Sequence, residues 1–180
     1  MQRYILTGTP GAGKTALLRA LEARGYCVVE EAATDVIALE HARGVDEPWR
    51  DPGFVDKIVA LQVARRARAA GPLQIHDRST VCALVLARWL GFAPPPRLEA
   101  ELARIAAEGT YERQVFFIRN LGRIENTAAR RISYEDALAF EALHEEVYRE
   151  LGFRLVEIAP APVEARADAV EAYLRLLTGT

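Results

Sequence analysis

The sequence predicts an α/β domain built on a five-stranded parallel sheet with helices on both faces, and three observations predict it. Short apolar runs alternate with long helical patterns along the whole chain. The runs lack the polar alternation of a strand with one wet face, as expected where helices cover both sides. A glycine-rich turn joins the first run to the first helix. The predicted strands are 4–7, 26–29, 73–76, 115–118 and 154–158. Helical patterns fill 15–24, 52–70, 79–90, 97–108, 133–151 and 163–177. Gly25, Gly71-Pro72, Gly91 and Gly152 stop four of them, and Ser133 starts the fifth as an N-cap. Two stretches carry no apolar period. Residues 42–52, with Trp49, read as a loop over the sheet's active edge, and residues 119–132 as a charged segment of the kind that serves function.

Composition narrows the class. With 180 residues, 51% of them apolar and 27% charged, the chain fits a single domain over 1–180, large enough to bury about two-thirds of its unfolded surface. A net charge of −2 gives no bulk attraction for nucleic acid, so no such partner is expected. Nothing approaches a membrane-spanning run, and the first residues enter a strand without a leader. Cys27 and Cys82 read as buried thiols without metal or disulfide spacing. A cytoplasmic protein is the expectation.

Residues Gly8-Thr9-Pro10-Gly11-Ala12-Gly13-Lys14-Thr15, followed by Ala16, match G-x-x-x-x-G-K-[ST] between a strand and a helix, which is the context that pattern requires. Glycines let successive N–H groups converge on phosphate oxygens, and the helix N-terminus adds its positive end. Lys14 reaches the β- and γ-phosphates, and the Thr15 hydroxyl suits Mg²⁺. Only two of the 23 basic residues are lysines. From this composition a chance match is expected roughly 5 times in 10,000 such chains. ATP or a similar triphosphate is the implied ligand.

A second carboxylate, Asp77, ends the third strand, where a parallel sheet opens on its ligand crevice. It either completes the Mg²⁺ site with Thr15 or caps the next helix. Arg78 follows, as a cation for a phosphoryl group or substrate anion, or as half of an ion pair. His76 points into the core. Glu30 and Glu31 end the second strand, facing the acceptor side of the γ-phosphate; one is expected in the cleft as a proton acceptor and the other in solvent, with helix-start charge as the alternative for both. Phe54, Ile58 and Gln62 share one helix face, so Gln62 is either a boundary residue or a hydrogen-bonding group for a flat substrate. Arg119, Arg123, Arg130 and Arg131 gather with only Glu125 nearby in sequence, as a closing cation cluster or a solvated face. Arg166 falls where a purine could stack on it, or on the surface of a helix.

Taken together, the chain resembles the small P-loop ATPase/kinase-like AAA-type domains described as relatives of nicotinamide riboside kinase. The resemblance rests on the phosphate loop at 8–15, Glu-Glu-Ala-Ala at 30–33, Asp-Arg-Ser at 77–79, Ala-Arg-Arg-Ile-Ser at 129–133, Leu-His-Glu-Glu-Val-Tyr at 143–148 and Val-Glu-Ala-Arg at 163–166. It implies a kinase-like strand order 2-3-1-4-5 and an arginine-bearing lid at about 119–132. Glu31 then stands at the acidic position after strand two, Asp77 on the metal side and Arg131 in the lid, with Arg130 beside it on the nucleotide. It also makes Glu31 and Gln62 the counterparts of the base and the ring-binding glutamine of deoxynucleoside kinases. A zinc-bearing lid and the adenylate-kinase lid motif are absent from the sequence. The expected activity is transfer of the γ-phosphate of ATP, with Mg²⁺, to an unidentified small acceptor of nucleoside or nucleotide type. A triphosphate hydrolase or regulatory ATPase is the alternative.

Overall fold

A computed structural model describes residues 1–122 and 132–179 of the chain. The strands β1 (Gln2–Thr7), β2 (Cys27–Val29), β3 (Leu73–Asp77), β4 (Gln114–Ile118) and β5 (Arg154–Ile158) form one parallel sheet in the order β2-β3-β1-β4-β5. Around it lie α1 (Lys14–Ala23), α2 (Ala33–Ala42), α3 (Gly53–Arg68), α4 (Thr80–Trp89), α5 (Pro96–Glu108), α6 (Tyr134–Glu150) and α7 (Val163–Thr178). Successive strand residues serve opposite layers. Ile5 and Val115 pack with Val55, Val81, Val85 and Val147 from α3, α4 and α6. Tyr4, Leu6 and Phe116 pack with Leu17, Leu18, Leu21 and Val170 from α1 and α7. Two dry faces explain why the strands read as unbroken apolar runs.

Most predicted elements stand within a residue or two of their predicted ends. Ser133 caps α6, accepting from the Asp136 N–H at 3.0 Å. His76 is fully buried, its Nε2 3.2 Å from Gln74 Oε1 and its ring edge-on to Tyr111. The apolar period did not mark α2, which only the helix-start reading of Glu30 and Glu31 allowed for, because Val36 and Ile37 are its only buried apolar side chains while Leu39 on the same helix is 50% exposed. The loop expected at 42–52 contains a short 3-10 turn, Pro48–Arg50. Cys27 is half-buried rather than buried, since β2 is an edge strand; it and Cys82 are free thiols. Among the described residues no helix is long and apolar enough to cross a membrane. Strand order decides the rest: β1 is central, so the loop after it lies between the ends of β3, β2 beyond, and β4.

Candidate active site

The phosphate loop is held from behind. At Gly8, with φ +127°, an added Cβ would lie 2.3 Å from the Ile118 carbonyl oxygen, so only glycine lets the loop leave β1 this close to β4. At Gly13, with φ +75°, a Cβ would meet the Arg166 guanidinium at 2.9 Å. Arg166 is therefore not on the surface of its helix. Its side chain is buried under the loop and Nη1 donates to the Ala12 carbonyl at 2.6 Å, because a polar donor is needed where the turn aims a carbonyl inward. Thr9 likewise faces away from the ligand side. Its hydroxyl, fully buried, bonds Glu141 Oε2 at 2.8 Å and approaches the Ala137 carbonyl at 3.3 Å, tethering the loop to α6.

Pro10, Gly11, Gly13, Lys14, Thr15 and Ala16 line the front of the loop. They form one end of a cleft of about 670 Å³. Lys14 Nζ donates to the carbonyls of Thr9 at 2.7 Å and Gly8 at 3.2 Å. Burial first, and the Arg78 charge second, push its pKa down to about 7. Thr15 Oγ1 donates to Asp77 Oδ2 at 3.3 Å, while the buried Asp77 Oδ1 finds no hydrogen-bond partner among the described residues. Burial raises the Asp77 carboxyl to about 6 despite the neighbouring Lys14. The cap of α4 is Ser79, which accepts from the Val81 N–H at 3.2 Å, so Asp77 is not a helix cap. An orphaned carboxylate oxygen beside a hydroxyl is the donor set a hard cation takes. No cluster of three or more His, Cys, Asp or Glu among the described residues would hold a metal without further ligands. Thr15 and Asp77 thus fit Mg²⁺ that brings phosphate oxygens and water with it.

Arg78 departs from the strand pattern. It has φ +64°, the one non-glycine residue with positive φ among the described residues. Such a backbone costs on the order of 1–3 kcal/mol. The break ends the alternation of faces, and Asp77, Arg78 and Ser79 all line the cleft. Arg78 Nε donates to Glu31 Oε2 at 2.9 Å, and Nη1 lies 3.1 Å from His144 Nε2. Arg78 thus forms the ion pair that was one of its two sequence readings, and does so inside the crevice.

Glu31 is the cleft glutamate and Glu30 the solvated one, which pairs with Arg19. Arg65 bonds the Glu31 carbonyl and pairs with Asp35, and the Thr34 hydroxyl bonds Glu31 Oε1, so the turn into α2 is pinned from three sides. Burial pushes the Glu31 carboxyl up, but Arg78, with Thr34 and Lys14, outweighs it and holds the group below the usual carboxylate range.

Beyond Glu31 the cleft becomes apolar, walled by Trp49, Phe54, Ile58, Leu86, Trp89 and Phe140. Gln62 belongs to this wall and is not a boundary residue: it is 2% exposed, and its Nε2 has no hydrogen-bond partner among the described residues. The wall contributed by α4 and α6 escaped the sequence reading, as did His144. The six-residue motif at 143–148 marks the place without saying what its histidine touches.

The arginine cluster divides. Arg119 is clamped by Glu141 at 3.0 Å, by Glu157 at 2.6 Å and by Glu145, and its guanidinium lies 4.7 Å from the Phe117 ring centroid. It anchors β4, β5 and α6 to each other, so it is no closing cation; its opponents come from 22 to 38 residues away, where counting neighbouring charges misses them. Arg123, Arg130 and Arg131 lie outside the described residues.

Comparison with solved structures places this architecture. Deoxyadenosine kinase from M. mycoides, solved with the products dCMP and dCDP, has a TM-score of 0.68 at 12% identity, covering 98% of this chain and 100% of its own. NadR in complex with NR gives 0.69 at 18%, and NadR with NAD and AMP-PNP gives 0.71 at 17%, covering 96% and 99% of this chain. This chain spans half of the NadR chain in both cases. At these identities the likeness is one of fold, that of the nucleoside-kinase-like P-loop domains. No curated protein matches the sequence. A family model described as an AAA domain matches residues 3–166, from the first strand into the last helix, and the chain belongs to that family.

Proposed function

We propose that this chain is an ATP-dependent phosphotransferase whose acceptor is a hydroxyl on a small, flat, nucleoside-like molecule. The observation that carries this reading is the apolar chamber with Gln62 in its wall. A hydrolase needs a positioned water at the γ-phosphate and nothing further. Here the cleft is also lined by two tryptophans and by a buried amide donor without a hydrogen-bond partner among the described residues. A planar ring with a carbonyl or ring nitrogen satisfies both features. The structural neighbours support the reading: a deoxyadenosine kinase and NadR in complex with NR share the fold.

The division of work follows from position. The loop N–H groups and Lys14 bind the phosphates. Thr15 and Asp77 would hold Mg²⁺, which neutralises β- and γ-oxygens when bound. Glu31 accepts the proton of the attacking hydroxyl, and Arg78 beside it carries positive charge toward the group in transfer. Gln62, Trp49 and Phe54 orient the ring. Arg130 and Arg131 remain the proposed lid cations.

Coupled detection of ADP and phosphorylated product across nucleosides, nucleotides and sugars tests the reading. At least one nucleoside is expected to raise ADP formation well above the rate without acceptor. Stoichiometric phosphate release that no acceptor stimulates would establish the hydrolase instead. Asp77→Asn is expected to leave metal-free ATP binding within about twofold of wild type and to raise the Mg²⁺ needed for half-maximal turnover about tenfold, the scale of one lost charged contact. A Mg²⁺ titration overlaying the wild type would remove Asp77 from the metal site.

A further inference from the structure

We infer that His144, on α6, is a positioning residue for Arg78, presenting an unprotonated ring nitrogen that fixes the guanidinium in the cleft. The inference rests on the phosphotransferase reading for its purpose, but its geometry stands on its own. His144 is fully buried, with Nδ1 2.8 Å from the Phe140 carbonyl oxygen. A carbonyl only accepts, so Nδ1 carries the proton. Nε2 then has its lone pair in the ring plane, and Arg78 Nη1, which only donates, lies 3.1 Å from it. The two contacts demand the same tautomer. A doubly protonated ring would set N–H against N–H, and burial first, with the Arg78 charge next, pushes the His144 pKa down to about 3, in agreement. The Phe140 ring, edge-on at 4.5 Å, fixes the imidazole's own orientation.

Arg78 needs such a partner. Its left-handed backbone at the end of β3 takes it out of the regular strand, so the pleat no longer directs its side chain. Glu31 bonds Nε and His144 bonds Nη1. Two contacts on different nitrogens, from different elements, fix the plane of the guanidinium. A neutral acceptor has an advantage over a second carboxylate at this point. It directs the side chain without cancelling the charge that must act on the phosphoryl group.

The experiment has two arms. The first needs no acceptor. The chain has three histidines, so ¹⁵N-imidazole spectra are resolvable, and His144 is expected as the Nδ1–H tautomer. The Arg78 Nε–H signal, assigned by its loss in Arg78→Lys, is expected to be sharp and slow to exchange in wild type and in His144→Gln, whose Oε1 can accept, and broadened in His144→Phe. An Nε2–H tautomer, or an Arg78 signal indifferent to His144→Phe, overturns the inference. The second arm measures phosphorylation of the best nucleoside. His144→Phe is expected to lower kcat by about 10–100-fold, the scale of a misplaced catalytic group. The KM for ATP should stay within about threefold, and His144→Gln should restore most of the rate. In an Arg78→Ala background His144→Phe should cost less than about twofold more. Multiplicative losses in that cycle would show that His144 does not act through Arg78. If wild type phosphorylates no nucleoside, the phosphotransferase reading fails, and the spectra still decide whether His144 holds Arg78.

Discussion

Lys14→Ala is expected to lower ATP affinity by about 10²-fold or more while leaving the fold in place. The magnitude comes from at least two charge-assisted hydrogen bonds to phosphate oxygens, each worth about 1.5–3 kcal/mol. The fold survives because Lys14 Nζ bonds the loop's own carbonyls at Thr9 and Gly8 and belongs to neither apolar cluster. Removing a buried cation next to Arg78 also relieves repulsion, so Tm should hold or rise slightly. The same environment predicts a pH signature. With its pKa pushed down to about 7, Lys14 is largely neutral at pH 8 and charged at pH 6. A phosphate anion favours the charged form and raises the pKa. ATP binding at pH 8 should therefore take up close to one proton, and affinity should weaken as pH climbs through 7 and above. Calorimetry in two buffers of different ionisation enthalpy reads the uptake directly. Release of protons at pH 8, or full affinity in Lys14→Ala, would remove Lys14 from the phosphate site.

What the sequence made legible was whatever is local. The phosphate loop is eight consecutive residues whose function depends on its own backbone, so the motif and its flanks suffice. The unbroken apolar runs pointed to strands covered on both faces, whereas their order came only from the resemblance to a known family. Contacts between distant segments were hidden. Glu30 and Glu31 are adjacent at a strand end, and only the placement of Arg19 and Arg78 decides which one enters the cleft. Arg119 looked like a free cation because Glu141, Glu145 and Glu157 lie on α6 and β5. Arg166 could be read as a surface residue, but its length lets it reach under the loop to a carbonyl 154 residues away. No pattern announces a left-handed arginine, since the residues that favour that conformation are glycine, asparagine and aspartate.

α6 ties these hidden contacts together. Glu141 holds the phosphate loop through Thr9 and the β4–β5 edge through Arg119, and one turn further His144 holds Arg78. The two halves of the site, the phosphate end and the proposed acceptor end, are thus referenced to a single helix. Positions of Lys14 and Glu31 relative to each other inherit that common reference, as the proposed in-line transfer between two bound molecules would require.

Glu31→Gln is where the phosphotransferase and the hydrolase part, and it is expected to lower transfer to a nucleoside by about 10²–10⁴-fold, the usual worth of a general base. The carboxylate is ionised at neutral pH, since Arg78, Thr34 and Lys14 together outweigh its burial. It lines the same cleft as the phosphate loop and the apolar chamber, where the hydroxyl of the proposed acceptor would enter. Glutamine preserves the shape: its Oε1 can accept the Arg78 Nε–H in place of Glu31 Oε2, and its Nε2 can donate to the Thr34 hydroxyl once that hydroxyl turns to accept, so the site should remain assembled; what it cannot do is take a proton. ATP binding should consequently stay within about threefold of wild type, and Tm should move by no more than a few degrees. Slow hydrolysis without acceptor should fall far less than transfer, because water reaching the γ-phosphate is not held by the chamber that positions a nucleoside. ADP formation with and without the nucleoside, for wild type and variant, separates the outcomes. Equal loss of both rates would mean that Glu31 orients water, and with it the hydrolase. Equal persistence of both would mean that Glu31 serves only to hold Arg78 and the start of α2, and the base would have to be sought elsewhere in the cleft.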